Sequence, residues 1–231
     1  MKSIMFDAGP IISLTTNNLL WTLGALKQKF KGSFCLAQAV KKELVDRPFV
    51  TKKFKFEAIQ VQQQIDAKVL TVLKDDTVRV EGERLQAWAN NIFVANGHAI
   101  AIVQSGEMQS LAATTLFEAD AFATDERITR MLLEDPVALC ELLERRLHTR
   151  IKMNQAIVDA FEEATRYVHV IRSVELVTIA FERGLLDKFV VNLPQSRKEL
   201  LESVLWGVKL NGCAVTEQEI NQILKIELRN K

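Results

Sequence analysis

The sequence predicts an α/β protein built on a parallel sheet of about five strands. Two observations carry this reading. Short apolar runs alternate with helical patterns along the whole chain, and the run Ala119 to Ala123 is small and apolar, as a strand covered on both faces must be. No internal repeat, low-complexity segment or Pro/Gly/Ser linker divides the 231 residues, so the chain reads as one domain, 1–231.

Ser3 to Phe6 is the first strand, ending on Asp7-Ala8-Gly9-Pro10, with Pro10 suited to the first turn of a helix. Asp7 then stands at the carboxyl end of a strand, where open parallel sheets bind ligands. Taken alone it is equally a turn or N-cap aspartate. Phe34 to Leu36 is the second strand, and Ala37 to Val45 continues as a helix carrying Glu43, stopped by Pro48. Phe54, Ala58, Val61 and Ile65 recur at helical spacing and predict an amphipathic helix from Lys52 to about Lys68. Val69 to Leu73 is a third strand or the end of that helix. Glu81 to Asn96 reads as a helix closed by Gly97, with Trp88 and Phe93 as core residues.

Gly106-Glu107 opens the next helix, and Ala119 to Ala123 follows as a strand ending on Thr124-Asp125-Glu126. Thr124 can cap the helix that runs to about Glu134. Pro136 to about Arg166 keeps an apolar stripe through Leu139, Leu142, Leu143, Leu147, Ile151, Val158 and Phe161, which predicts one long helix or two. Tyr167 to Ile171 is a fifth strand, and Ser173 caps a helix ending at Gly184. Ser196…Glu199 and Thr216…Glu219 are capping boxes for the last two helices.

Composition narrows the chemistry. Hydrophobic residues make up 48% and charged residues 26%, and the formal charge is +1, so the total neither requires nor excludes a nucleic-acid partner. Three scattered cysteines and three histidines form no close pair, which argues against a zinc site or a disulfide framework and points to a reducing cytoplasm. The apolar runs fall far short of a bilayer span, so no membrane partner is expected.

Of four acids, Asp7 follows the first strand, Glu43 lies in the helix after the second, Glu107 begins a helix, and Asp125 follows the next strand. Residues just past the strand ends share one edge of a parallel sheet, and carboxylates crowded together raise one another's pKa unless a cation neutralises them. An oxygen-only set suits Mg²⁺ or Mn²⁺ rather than zinc. At the level of residues alone, four unrelated acids in an acid-rich chain are an equal alternative.

These motifs resemble the PIN-domain family. Phe6-Asp7 with the apolar residues to Leu14 resembles its opening, and Leu36 to Leu44, carrying Glu43, is similar to its second acidic motif. Gly106-Glu107 with Leu111-Ala112 resembles the third, with glutamate where aspartate is commoner, and Ala121 to Arg127 is similar to the fourth. The resemblance covers most of the chain except 134–166, which reads as a helical insertion. It implies a three-layer α/β/α fold and a nuclease, usually acting on RNA, that uses one or two Mg²⁺ or Mn²⁺ ions. On it, Asp7, Glu107 and Asp125 are metal ligands, Glu43 orients the attacking water, Thr124 fixes the Asp125 loop, and Glu126 is an extra ligand.

Arg127 and Arg130, a turn past Asp125, and Arg145, Arg146 and Arg150 are the cations expected to meet RNA; for the second group a solvated helix face is the plainer reading. A homodimer and an inhibitory protein are further partners to test. The competing function is a PIN-like RNA-binding or protein-interaction scaffold that no longer cuts. A haloacid-dehalogenase-like phosphatase would need a second acid where Gly9 stands, and a Rossmann nucleotide binder would need a Gly-x-Gly-x-x-Gly run after the first strand.

Overall fold

The computed structural model describes residues 2–229. Its centre is a five-stranded sheet in the order β3-β2-β1-β6-β8, parallel throughout. Here β1 is Ser3–Phe6, β2 is Ser33–Ala37, β3 is Leu70–Leu73, β6 is Ala121–Ala123 and β8 is Val170–Ile171. All of β1 is buried, as a central strand covered on both faces requires. The chain runs outward from β1 through β2 to β3, then returns to the other side of β1 as β6. That reversal makes a crevice at the carboxyl ends of β1 and β6.

Buried side chains form two apolar clusters. One holds Phe6, Ile11, Leu36, Phe181 and Leu205, and the other holds Phe93, Met108, Phe122, Leu139 and Phe161. Adjacent residues of β6 divide between them, Phe122 to one and Ala123 to the other, because successive strand side chains point to opposite faces. The arrangement is consistent with three layers, α/β/α. Helix α1 (Ala8–Thr16), α11 (Ser173–Glu182), α12 (Ser196–Leu210) and α13 (Glu217–Arg229) contribute to the first cluster. Helix α6 (Asp76–Ile92), α7 (Ser105–Leu116), α9 (Pro136–Leu147) and α10 (Gln155–Thr165) contribute to the second. Among the described residues no helix is long and apolar enough to cross a membrane.

Several expectations need correction. Segment 134–166 is not wholly helical. Ile151–Met153 is a strand, β7, and pairs antiparallel with β4 (Phe93–Ala95), which also pairs with β5 (His98–Ala99). The helix expected to run to Asn96 therefore stops at Ile92, and Asn96-Gly97 (φ 51° and 82°) is the turn of a hairpin. Two successive residues with positive φ are what a tight two-residue hairpin turn requires.

Pro48 does not stop its helix. The chain passes from α3 (Gln38–Lys41) through a π-helical turn (Lys42–Asp46) into α4 (Arg47–Thr51), with Pro48 in the first turn of α4. Helix α5 begins only at Lys55 and ends at Asp66, and Phe54 stands outside the core in the left-handed region (φ 59°). Helix α12 starts from Gln195 (φ 56°), which puts Ser196 inside the helix rather than at its cap. The last capping box does form: Thr216 N–H donates to Glu219 at 2.7 Å and Glu219 N–H donates to Thr216 Oγ1 at 3.1 Å.

Candidate metal centre

Asp7 is the residue on which the crevice converges. Its N–H donates to Ala123 O at 2.9 Å, which continues the β1–β6 ladder one step past the strand and fixes the side chain at the sheet's carboxyl edge. Only 4% of Asp7 is exposed. Its carboxyl is pushed up to about 7, first by burial and next by the Glu107 charge, with Glu43 adding to the shift. The Ala8 N–H and the Thr124 hydroxyl, which donates to Oδ2 at a long 3.4 Å, only partly oppose this.

Glu107 lies in the first turn of α7. Its Oε2 accepts from Gln104 N–H at 3.2 Å and from Thr129 Oγ1 at 3.1 Å, where Thr129 belongs to α8 (Arg127–Glu134). Burial pushes Glu107 up, the Gln104 and Thr129 hydrogen bonds lower it, and the charges of Glu126 and Glu43 raise it. Glu43 sits in the π-helical turn. A π turn carries one extra residue per hydrogen-bonded loop and often re-aims side chains at functional sites. Its Oε2 is 3.4 Å from where Gly106 would carry a Cβ, against the start of α7. Glu43 is exposed, yet desolvation of its carboxyl raises the pKa, against the lowering charge of Arg47.

Asp125 is not part of this group. Its Oδ2 accepts from Ser13 Oγ at 2.6 Å and Ser173 Oγ at 2.7 Å, and its Oδ1 accepts from Ser173 N–H at 2.8 Å. Ala214 N–H donates to its carbonyl at 3.2 Å. The carboxylate therefore ties β6 to α1 and α11. The Cys213 thiol beside it is pushed up to about 12, by burial and then by the Asp125 charge, and stays protonated. Gly9 packs closely against it: a Cβ there would lie 3.2 Å from Asp125 Cβ.

Glu126, the next residue, faces solvent and is the acid from this loop whose charge reaches Glu107. Thr124 supports the turn twice, donating to Asp7 and accepting from Glu126 N–H at 3.2 Å. The charges of Glu107 and Glu43 thus act on Asp7, and those of Glu126 and Glu43 act on Glu107. Thr124 and Asp125 are both buried and Glu126 is exposed, and it is the hydrogen bonds from Ser13 and Ser173 that hold Asp125 inward.

Among the described residues, no group of three or more His, Cys, Asp or Glu side chains is arranged to hold a metal ion. The donor chemistry nevertheless fits a hard divalent cation, because a buried carboxylate facing two like charges gains from a neutralising cation and every donor is oxygen. Both hydrogen bonds to Glu107 fall on Oε2 and leave its Oε1 as the donor atom.

Of the expected RNA-binding cations, Arg127 is exposed at the start of α8, and Arg130 lies 3.7 Å from Glu134 with its buried Nε unpartnered. Arg145, at 3.7 Å from Glu141, and exposed Arg146 end α9, and Arg150 precedes β7. Comparison with family models, characterised proteins and solved structures finds no match to this chain.

Proposed function

We propose that the protein is a metal-dependent nuclease of the PIN-like type that hydrolyses phosphodiester bonds in RNA, with Asp7, Glu43, Glu107 and Glu126 as its acids. The observation that supports this best is the buried Asp7 carboxyl, raised to about 7 and facing Glu107 and Glu43 at the crevice between β1 and β6. Perturbed carboxylates in a crevice at a sheet's carboxyl edge are functional-site candidates on physical grounds.

Asp7, Glu107 and Glu126 would hold the cation. When bound, Mg²⁺ or Mn²⁺ supplies activation of water and neutralisation of phosphate charge. The Thr124 hydroxyl orients Asp7, and Thr129 orients Glu107. Glu43, open to solvent at the rim, accepts a proton from the attacking water. Arg127 and Arg130 offer charge to the phosphates on the Glu126 side. Asp125 acts one step back by fixing the turn that carries Thr124 and Glu126.

The test is cleavage of an end-labelled single-stranded RNA in Mn²⁺ by the wild-type chain and by Glu107→Gln. Metal-dependent products from the wild type alone support the reading, and equal products from both remove Glu107 from it. A second reading, a scaffold that binds without cutting, is favoured by the hydrogen bonds that occupy Glu107. It predicts no products and no response to Mn²⁺.

A further inference from the structure

The segment after the Glu43 turn carries a feature that the acidic site does not use. Residues 47–59 read RPFVTKKFKFEAI, with Arg47, Lys52, Lys53 and Lys55 against the single carboxylate of Glu57. The aromatic residues among these cations face water: Phe54 is 56% exposed and Phe56 70%, and Phe49, Val50 and Ile59 are exposed with them. Lys53 Nζ lies 4.9 Å from the Phe54 ring centre and Lys55 Nζ lies 5.6 Å from that of Phe49. Among the described residues, Lys52, Lys53 and Lys55 have no carboxylate partner.

The backbone holds this surface in place. Lys52 (φ 66°) and Phe54 (φ 59°) both adopt the left-handed region, which breaks α4 from α5 and puts the Phe54 ring outside the core. The surface is also continuous with the candidate metal centre. An apolar pocket of about 100 Å³ is lined by Phe54, Ile12, Pro48 and Val61 together with Glu43 itself.

From this juxtaposition we infer that the α4–α5 junction is a binding track for single-stranded nucleic acid, with bases stacked on Phe54 and Phe56 and phosphates held by Lys52, Lys53 and Lys55. Every base has a stackable face, so exposed aromatics interleaved with cations grip a single strand without reading its sequence. A plain hydrophobic interface would have less use for four cations, whereas a polyanion complements them. The track takes its purpose from the nuclease reading, since it ends at Glu43, but its binding does not depend on that reading.

The experiment measures binding of a fluorescein-labelled oligouridylate to the full chain in EDTA. The double variant Phe54→Ala/Phe56→Ala is expected to bind about tenfold or more weakly, with an unchanged melting temperature because both rings are exposed. Phe54→Trp/Phe56→Trp is expected to restore binding. The triple variant Lys52→Gln/Lys53→Gln/Lys55→Gln is expected to flatten the slope of log affinity against log salt by about 0.7 per lysine. Unchanged affinity and salt slope in these variants would overturn the track. So would a wild-type dimer that the double alanine variant disperses while oligouridylate binding stays the same, because the patch would then be a contact between copies. Loss of binding supports the track even in a chain that never cleaves, whereas intact binding with intact metal-dependent cleavage sinks the track alone.

Discussion

Ser173 holds Asp125 with two hydrogen bonds, from its N–H at 2.8 Å and from its hydroxyl at 2.7 Å, and so commits that carboxylate to the interior. Ser13 adds a third at 2.6 Å. A carboxylate satisfied in this way by three donors from two helices is a structural fastener between β6, α1 and α11. Of the two consecutive acids in this turn, Asp125 is buried and Glu126 is exposed.

Asp125→Ala leaves two hydroxyls and one N–H without their buried acceptor. At roughly 1–3 kcal/mol for each unsatisfied donor, the loss is expected to be about 3 kcal/mol or more, read as a lower midpoint in denaturant unfolding. A metal ligand in a repulsive cluster would behave oppositely, since its removal relieves charge and raises the midpoint.

Stability depends on pH through Asp7. Its folded pKa, about 7, lies above its ordinary value of 3.8, so between the two the unfolded chain has released a proton that the folded chain keeps. Stability therefore falls as pH rises through that window, by up to about 1.4 kcal/mol per unit, and levels off above it. Glu43 and Glu107, also raised, act in the same direction. Asp7→Asn is expected to be more stable than the wild type near pH 8, with the gap closing toward about pH 4. Denaturation series across that range measure it, and a constant gap would contradict the account.

Glu126→Gln separates the two acids of the turn. Because Glu126 faces solvent, its replacement is expected to change unfolding by no more than about 0.5 kcal/mol. Stabilisation by Mn²⁺ should nevertheless weaken, as judged from the metal concentration that gives half the shift in melting temperature.

The hairpin Phe93–Ala99 turns on Gly97, where an added Cβ would meet nothing within 4 Å. Gly97→Ala is thus a test of backbone strain alone. At φ 82° it is expected to cost about 1 kcal/mol, read from thermal or denaturant unfolding.

The central sheet was legible because its strands are short apolar runs cut off by turn residues and separated by helices long enough for parallel crossovers. The placement of Asp7 and Glu107 was legible because one follows a strand and the other opens a helix. That Asp125 is buried while Glu126 is exposed was not, since the partners that hold Asp125 are Ser13 and Ser173, 112 and 48 residues away in the chain. The second sheet turns at Asn96-Gly97, a strong short-range hairpin signal, but a glycine after a helical pattern equally marks a helix terminus. Ile151 matched the helical stripe of its neighbours, and only pairing with Ala95 makes it a strand residue. Phe54 likewise fitted an apolar periodicity, but the left-handed backbone at Lys52 and Phe54 shifts where α5 begins and takes its ring out of the core.

The central claim is that Asp7 and its neighbours hold a divalent cation for phosphodiester hydrolysis. It is tested most directly by titrating Mn²⁺ into the wild type and Asp7→Asn while following the melting temperature. The account predicts a saturable rise in the wild type, by RT ln(1 + [Mn²⁺]/Kd) in free energy, and little or none in Asp7→Asn, whose fold is intact before metal is added. Equal rises in both proteins, or none in either, would contradict it.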